Sequence, residues 1–568
     1  MNQGLQTYDY IVFILYFILI SSYGIWIYRK KNSNTTNTKD FFLAEGQLTW
    51  WAIGASLIAS NISAEQFIGM SGNGFRLGLA ISVYEWLAAV SLVVVAIFFM
   101  PVYLKNKIYT MPQFLKTRYN ETVAMIMAIF WLFLYIFVNL TSILYLGAIA
   151  INNLSGGTHF HLIMIGLAVF ALFITLGGMK VIGYTDVFQV LVLTVGGLIT
   201  SYIALTVVSE QFGMGKNMVA GFQHLMQAAP DHFKMIFEKP GPGATQKEIE
   251  DYSSLPGMAM MVAGIWVAHL NYWGCNQYIT QRALGADLKT ARTGILFAAF
   301  LKLMMPILVV IPGIAAYVLY QNGGLQTQMM TNGVLNQDNA YSAVVGFLPV
   351  GLKGLSMAAL TAAIVASLAG KANSISTIYS LDIYKKYINK DASDKKIVTT
   401  GRVIIVLSLL IAIIINWKDT LGIGGKGGFE FIQKYTGYIS PAIFPVFLLE
   451  FFWKKATSKA AITGIFLGVV LSIVFDKFLP GWMGNDTLLY TAYPTASGSF
   501  EIPYLIQMGW VFLFTCIIMV LVSLVDVKGQ THANDLQEDA TKYKLTNAHI
   551  AMIVTILIVV AGLYIRFW

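Results

Sequence analysis

The chain has 568 residues, 57% of them hydrophobic and only 11% charged, with a formal net charge of +9 and a mean hydropathy of +0.66. Soluble domains carry about 25% charged residues, so this composition specifies an integral membrane protein. It excludes a nucleic-acid binder, because the basic residues are scattered through loops instead of forming one face. It also excludes a disulfide or metal scaffold, because the two cysteines, Cys275 and Cys516, both lie in apolar segments.

Apolar stretches of about 20 residues predict an all-α protein with fourteen transmembrane helices. They begin near Tyr10, Trp50, Gly78, Val123, His161, Asp186, Gly257, Gly294, Gly354, Arg402, Phe429, Ala460, Tyr504 and Ala548. The first run has no basic residue ahead of it and Arg29, Lys30 and Lys31 behind it, so no cleavable leader is expected. Basic clusters recur in alternate loops: Lys105 to Arg118, Arg282 to Arg292, Lys385 to Lys396 and Lys454 to Lys459. Basic loops stay in the cytoplasm, which places both termini outside. The longest polar excursion, about Ser209 to Pro256, is then external and is expected to form short capping helices. The second span is interrupted at SNISAEQF and the seventh at HLNYWGCNQ. Two broken helices, each opening a block of five spans, point to an inverted-repeat transporter.

The polar residues at membrane depth carry the functional signal. Unwinding around Ala59 to Ser63 frees carbonyls that can coordinate a bare cation. Asn61 and Gln66 each offer a donor and an acceptor, suited to a polyhydroxylated solute, although polar side chains also serve as glue between helices. Glu85 in the third span has its natural partner in Lys302 of the eighth. The two form a buried ion pair, hydrogen-bond substrate hydroxyls, or both, and together present no net charge to a neutral solute. The seventh span supplies His269, Asn271, Tyr272, Trp273, Asn276 and Gln277. Tyr272 or Trp273 can stack on a sugar ring or serve as a core aromatic, and His269 alone reads as a core histidine. In the ninth span Ser367 offers a hydroxyl to a cation, and Lys371, four residues on, shares its helical face. Phe429 and Gln433 share a face of the eleventh span, ahead of a kink at Ser440 and Pro441.

The stretches WWAIGASLIASNISAEQFIGMSGNGF, GLAISVYEW, YIFVNLTSILYLG, YTDVFQV, NYWGCNQYITQRALGA, FAAFLKL, VVIPGIAAYV, FIQKYTGYISP and FWKKATSKAA occur in order along nearly the whole chain. Together they resemble the sodium/solute symporter family, and within it the bacterial sodium/galactose symporters. The resemblance implies a single transporter domain with a leucine-transporter-type five-plus-five inverted-repeat core. Residues 1–47 are then an extra N-terminal helix and loop, 48–453 the core with repeats at about 48–206 and 257–453, and 454–568 three C-terminal helices. It further implies sodium-coupled uptake of a neutral hexose through a bacterial inner membrane, with no organic cofactor. Asn61, Gln66, Glu85, His269, Lys302 and Gln433 are the implied sugar ligands. Met70, Tyr84 and Phe429 are the outer lid and Tyr272 the inner gate. The carbonyls of Ala59, Ile62 and Ala363 with the Ser367 hydroxyl are the sodium site, and Asp186 lies on the ion's exit route.

The sequence departs from the family pattern at three places. His269 stands where an asparagine is usual, Ala88 replaces a pocket serine, and Ala366 replaces the first of two consecutive serines at the sodium site. Ala369 and Gly370 replace serines that relatives use for a second ion, so one sodium per sugar is expected, with Lys371 as a modifier of the site. Glu65 gains no role and is expected to bond the broken backbone or a neighbouring span. The alternatives are a proton-coupled or uncoupled transporter of a related sugar or polyol, and a membrane sugar sensor. The segment from Asp526 to Asn547 is too short for an output domain. The chain has no HExxH, nucleophile elbow or phosphate loop, so no enzyme is expected.

Overall fold

The computed structural model describes residues 5–29, 37–44, 48–331, 333–418, 428–495, 498–531 and 544–568. Lys30 and Lys31 of the first basic cluster, and most of the Asp526 to Asn547 loop, lie outside them. The architecture is helical throughout, with two two-stranded antiparallel pairs confined to loops. The helices that position the site are α1 (Thr7–Arg29), α2 (Trp50–Asn61), α3 (Ser71–Leu77), α4 (Val83–Val94), α5 (Glu121–Leu154), α6 (Phe160–Thr175), α7 (Gly178–Gln211), α8 (Gly264–Cys275), α9 (Gln277–Leu284), α10 (Leu288–Gln321), α11 (Leu352–Ile378), α12 (Asp394–Asn416), α13 (Gly428–Gly437), α14 (Ser440–Phe452), α15 (Ser458–Lys477), α16 (Tyr504–Val525) and α17 (Asn547–Phe567).

Among the described residues, ten helices are long and apolar enough to cross a membrane, or eleven when one pair bent by 82° is taken as a single span. The expected count of fourteen is not reached by continuous helices, and several of the predicted segments are broken or short. Glu65–Lys105 runs through two of them as one 41-residue helical stretch, while Phe160–Thr175 and Ser440–Phe452 are apolar but shorter than 18 residues. The seventh span does not start at Gly257: the helix Gly257–Val262 turns away at Ala263, whose φ of −147° and ψ of −52° interrupt the helix, and α8 begins at Gly264.

Both expected breaks are present, and they share one backbone conformation. The α2 helix ends where Ile62 turns extended, at φ −79° and ψ 117°. The chain then re-enters a helix through the π-helical turn Glu65–Met70, which leads into α3. The α8 helix ends where Asn276 turns extended, at φ −91° and ψ 125°, and α9 follows at once. A break at membrane depth leaves backbone groups to be satisfied. At the second one Tyr135 of α5 does so from the side: its hydroxyl donates to the Asn276 side chain and accepts the Gln277 N–H at 3.0 Å.

Burial sorts the helices. The window centred on α11 is 89% buried, against 22% for α1, 28% for α16 and 22% for α17, so α11 is the axis and the other three face lipid. Glycine lets α10 press against both halves of the broken second span. A Cβ on Gly54 would lie 2.7 Å from the Gly294 carbonyl, and one on Gly74 would lie 2.6 Å from the Val310 carbonyl. The polar excursion folds as expected into short helices, Met218–Ala228 and Gln246–Ser254, the second closed by a Thr245/Glu248 capping box. Between them His232 reaches back to the membrane domain, bonding the Phe75 carbonyl at 3.0 Å and stacking on Tyr317.

Candidate functional site

One narrow cavity of about 70 Å³ sits between the two breaks. Asn61 and Gln66 reach it from the first break and Tyr84 from α4. His269, Asn271, Tyr272 and Trp273 come from α8, with Lys302 from α10 and Gln433 from α13. These nine residues and Asn276, all singled out from the sequence, therefore meet around one space although they come from segments far apart in the chain. They converge because the breaks expose consecutive side chains of α2 and α8 to one space, which an unbroken helix face does not do.

Glu85, Met70 and Phe429 do not line the cavity. Glu85 lies behind Lys302, whose ammonium donates to its carboxylate at 2.6 Å, with both side chains all but fully buried. The Lys302 ammonium also lies 5.3 Å from the centroid of the Trp273 ring, a cation–π distance. Met70 is completely buried and Phe429 nearly so. Phe429 meets Tyr84 edge-on at 5.3 Å, and a Cβ on Gly69 would lie 2.4 Å from its own Cβ. The Tyr84 hydroxyl in turn bonds the hydroxyl of Tyr504 from α16. Tyr84, which lines the cavity, thus joins Phe429 and Tyr504 to its wall. At Tyr272 the Asn61 amide donates to the phenol at 2.9 Å, linking the two broken helices directly.

Several polar atoms facing this region have no partner. Asn61 Oδ1, Gln66 Oε1, Glu85 Oε1 and His269 Nε2 are buried and find no hydrogen-bond partner among the described residues. Buried polar atoms are ordinarily paired, so the three orphans on lining residues, Asn61, Gln66 and His269, mark a place able to take hydrogen-bonding groups. Thr436, Ser440 and Met508 also contribute to the wall. Sequence reading singled out Ser440 only as part of a kink; its hydroxyl accepts from Asn271 at 3.1 Å. Met508 and Tyr504 belong to α16, an otherwise lipid-facing helix, and carry no sequence signal at all.

Across the first break only the N–H groups of Gln66 and Phe67 return to the ladder, both to the Ser63 carbonyl. The carbonyls of Ala59 and Ile62 receive no hydrogen bond among the described residues. Ser367 of α11 faces this gap, its hydroxyl donating to the Ser60 carbonyl at 3.0 Å. Ala363 and Ala366 are buried beside it on α11. The Lys371 ammonium donates to the Ser367 oxygen at 2.9 Å and lies 4.4 Å from the Tyr278 ring centroid. Glu65, expected to bond the broken backbone or a neighbouring span, has its own N–H on the Ser63 hydroxyl and interacts electrostatically with Lys371 of α11. Asp186, fully buried on α7, receives the Ser56 hydroxyl and stands 3.7 Å from the Arg282 guanidinium, which also donates to Ser56 at 2.8 Å. Gly370 leaves room for that guanidinium: a Cβ there would lie 2.4 Å from it.

Comparison with known proteins places this arrangement. A sequence profile described as the sodium:solute symporter family matches residues 41–468. The chain is 42% identical over its whole length to a sodium/glucose cotransporter of Vibrio parahaemolyticus, covering 99% of that protein. It is 32% identical to sodium/myo-inositol cotransporter 2 of Sus scrofa, over 83% of this chain and 70% of the relative. Its fold matches the substrate-bound, outward-open structure of a Na+-coupled sialic acid symporter with a TM-score of 0.75, at 18% identity, over 94% of this chain and all of that one. The chain therefore belongs to the sodium:solute symporter family, whose members are transporters and not enzymes.

Proposed function

We propose that this protein carries one sodium ion together with one neutral hexose, of the glucose or galactose type, by alternating access across a bacterial inner membrane. The observation that carries the reading is the cavity between the breaks and its orphaned polar atoms. Asn61, Gln66 and His269 offer hydrogen bonds to hydroxyls, and the Glu85–Lys302 pair supplies a charge-assisted donor without net charge. Such a lining disfavours an anion. The relatives at 42% and 32% identity are named for glucose and myo-inositol, both neutral and polyhydroxylated.

In this reading the chain crosses fourteen times, with both termini outside and a five-plus-five repeat opening on the two broken helices. Met70, Tyr84 and Phe429 form the outer lid, Tyr272 is the inner gate, and Gln433 completes the sugar ligands. Sodium is held by the Ala59, Ile62 and Ala363 carbonyls and the Ser367 hydroxyl, and Asp186 lies on its exit route. Sodium drives uptake by binding the sugar-competent arrangement better than the other, which is all that coupling requires. The test is uptake of a sugar panel into proteoliposomes. Hexose entry is expected to need sodium and to fall by at least tenfold in Gln66→Ala and Lys302→Ala. Equal uptake in sodium and potassium buffers, or preference for an acidic sugar, would sink the proposal.

A further inference from the structure

A cavity of about 540 Å³ lies among the loops at the end of α9 away from the second break. Lys39 reaches it from the short helix Thr38–Leu43, and Lys105 and Lys107 from the end of the Glu65–Lys105 stretch and the turn after it. The loop joining α9 to α10 adds Asp287. We propose that this cavity is a regulatory site for a small organic phosphomonoester, such as a hexose phosphate, which binds from the cytoplasm and restrains the second break. The cytoplasmic placement rests on the proposed orientation, with the basic loops inside. Three ammonium groups around one cavity call for a counter-anion, and the wall does not supply it. Asp287 spends both its oxygens on the start of α10: Oδ1 accepts the N–H groups of Lys289 and Thr290 at 3.0 and 3.1 Å, and Oδ2 accepts the Thr290 hydroxyl at 2.6 Å. Among the described residues Lys105 and Lys107 make no ion pair. The Lys39 ammonium stands 5.8 Å from the centroid of the Tyr109 ring, which lines the same space. A phosphomonoester brings a charge of about −1.5 to −2 at neutral pH and three acceptor oxygens, a match for ammonium groups acting as point charges. Elsewhere the wall is Tyr109 and aliphatic side chains such as Leu43, Leu104 and Leu284. A sugar ring with its C–H face on that wall fills space that bare phosphate leaves empty.

Every wall of this cavity is tied to α9. Gln281 donates to the Phe42 carbonyl at 2.7 Å, and a Cβ on Gly285 would run into the Leu43 carbonyl, so the short helix Thr38–Leu43 lies directly on α9. Gln277, which restarts the helix after the break, donates to the Tyr109 carbonyl at 3.3 Å and accepts the Met111 N–H at 2.7 Å. The third wall is the chain leaving α9 itself. A ligand bridging Lys39, Lys105 and Lys107 therefore clamps two neighbouring segments onto α9. Alternating access needs the parts of a broken span to move against their surroundings. The clamp slows that movement without touching the sugar cavity, which Asn276 and Tyr272 face from the other end of α9.

Two measurements on the full chain test this: equilibrium dialysis of radiolabelled glucose 6-phosphate against the purified protein, and hexose uptake into proteoliposomes loaded with the same compound. The native protein should bind it saturably. Loaded vesicles should take up hexose several-fold more slowly, while the external sugar concentration for half-maximal uptake stays unchanged. Lys105→Gln/Lys107→Gln should weaken binding by about tenfold or more, the loss expected when charge-assisted contacts go. It should also abolish the slowing and leave uptake into unloaded vesicles as in the native protein. Lys395→Gln/Lys396→Gln, which changes exposed lysines of another basic loop, should bind as the native protein does. No saturable binding by the native protein, equal binding by the Lys105/Lys107 variant, or equally tight binding of inorganic phosphate overturns the inference. Vesicles of phosphatidylcholine with and without phosphatidylglycerol separate the other source of a phosphate group. Slowing that follows the anionic lipid and not glucose 6-phosphate assigns the cavity to a lipid headgroup and overturns the inference as well. Dialysis reads binding without transport, so uptake that ignores sodium sinks the transport reading and leaves the binding site standing.

Discussion

At the scale of single residues, the buried pair Glu85–Lys302 shows how polarity is made tolerable inside the bilayer. Each group alone would be an uncompensated charge, and removing one partner of such a pair costs about 3–5 kcal/mol. Glu85→Gln and Lys302→Met should each lower the melting temperature sharply in detergent. The double variant should recover most of that stability while remaining unable to bind sugar; a double variant no more stable than either single one would count against the pair. His232, outside the spanning helices, gives a pH signature. Burial first, with the Lys247 charge adding to it, pushes its pKa down to about 4 despite its bond to the Phe75 carbonyl. A folded-state value below the ordinary 6.5 means the unfolded chain binds the proton first. Stability is thus full above about pH 6.5 and declines as pH falls toward 4, by at most about 3 kcal/mol. Melting curves between pH 7 and 4.5 should show that loss, and His232→Asn should remove it.

At the scale of elements, the interfaces of the broken second span are made of backbone against backbone. Gly74 has the Val310 carbonyl 2.6 Å from where its Cβ would be, whereas Gly166 on α6 has nothing within 4 Å. Gly74→Val must therefore move α3 off α10, and the expected result is loss of folded protein on size-exclusion chromatography. Gly166→Val on the same assay should behave as the native protein. The helical packing also explains why both breaks hold: Tyr135 supplies a hydroxyl at one, and Ser63 and Ser367 supply hydroxyls at the other.

At the scale of the whole molecule, alternating access requires that the aromatic closure part from the first broken span. An ideal Cβ on Gly69 would lie 2.4 Å from that of Phe429, inside the roughly 3.5 Å minimum of a disulfide, so a bridge between 69 and 429 forms once the two backbones part by about 1 Å. Oxidised Gly69→Cys/Phe429→Cys should transport nothing and regain uptake on reduction. Full uptake by the oxidised form would show that these elements stay together through the cycle. The same view accounts for α16: it is only 28% buried across its membrane window, yet Tyr504 and Met508 touch the closure and the cavity. Of the C-terminal helices, α16 thus touches the site directly.

The sequence by itself determined the membrane class, the two breaks and the residue types that meet between them. Each of these depends on local chemistry: apolar run length, the cost of amides in hydrocarbon, and the resemblance carried by contiguous motifs. It also singled out Lys371 beside Ser367, because a four-residue spacing on one helix is local geometry. Tertiary structure alone decided that Glu85 stands behind Lys302, that Met70 and Phe429 sit outside the cavity wall, and that Met508 joins it while Tyr504 bonds Tyr84 at its edge. Those outcomes follow from how helices distant in sequence pack, which no periodicity records. Likewise only the fold turned the Gly257–Val262 segment away from its expected span, and only the fold set the Ser367 hydroxyl against the Ser60 carbonyl at the first break.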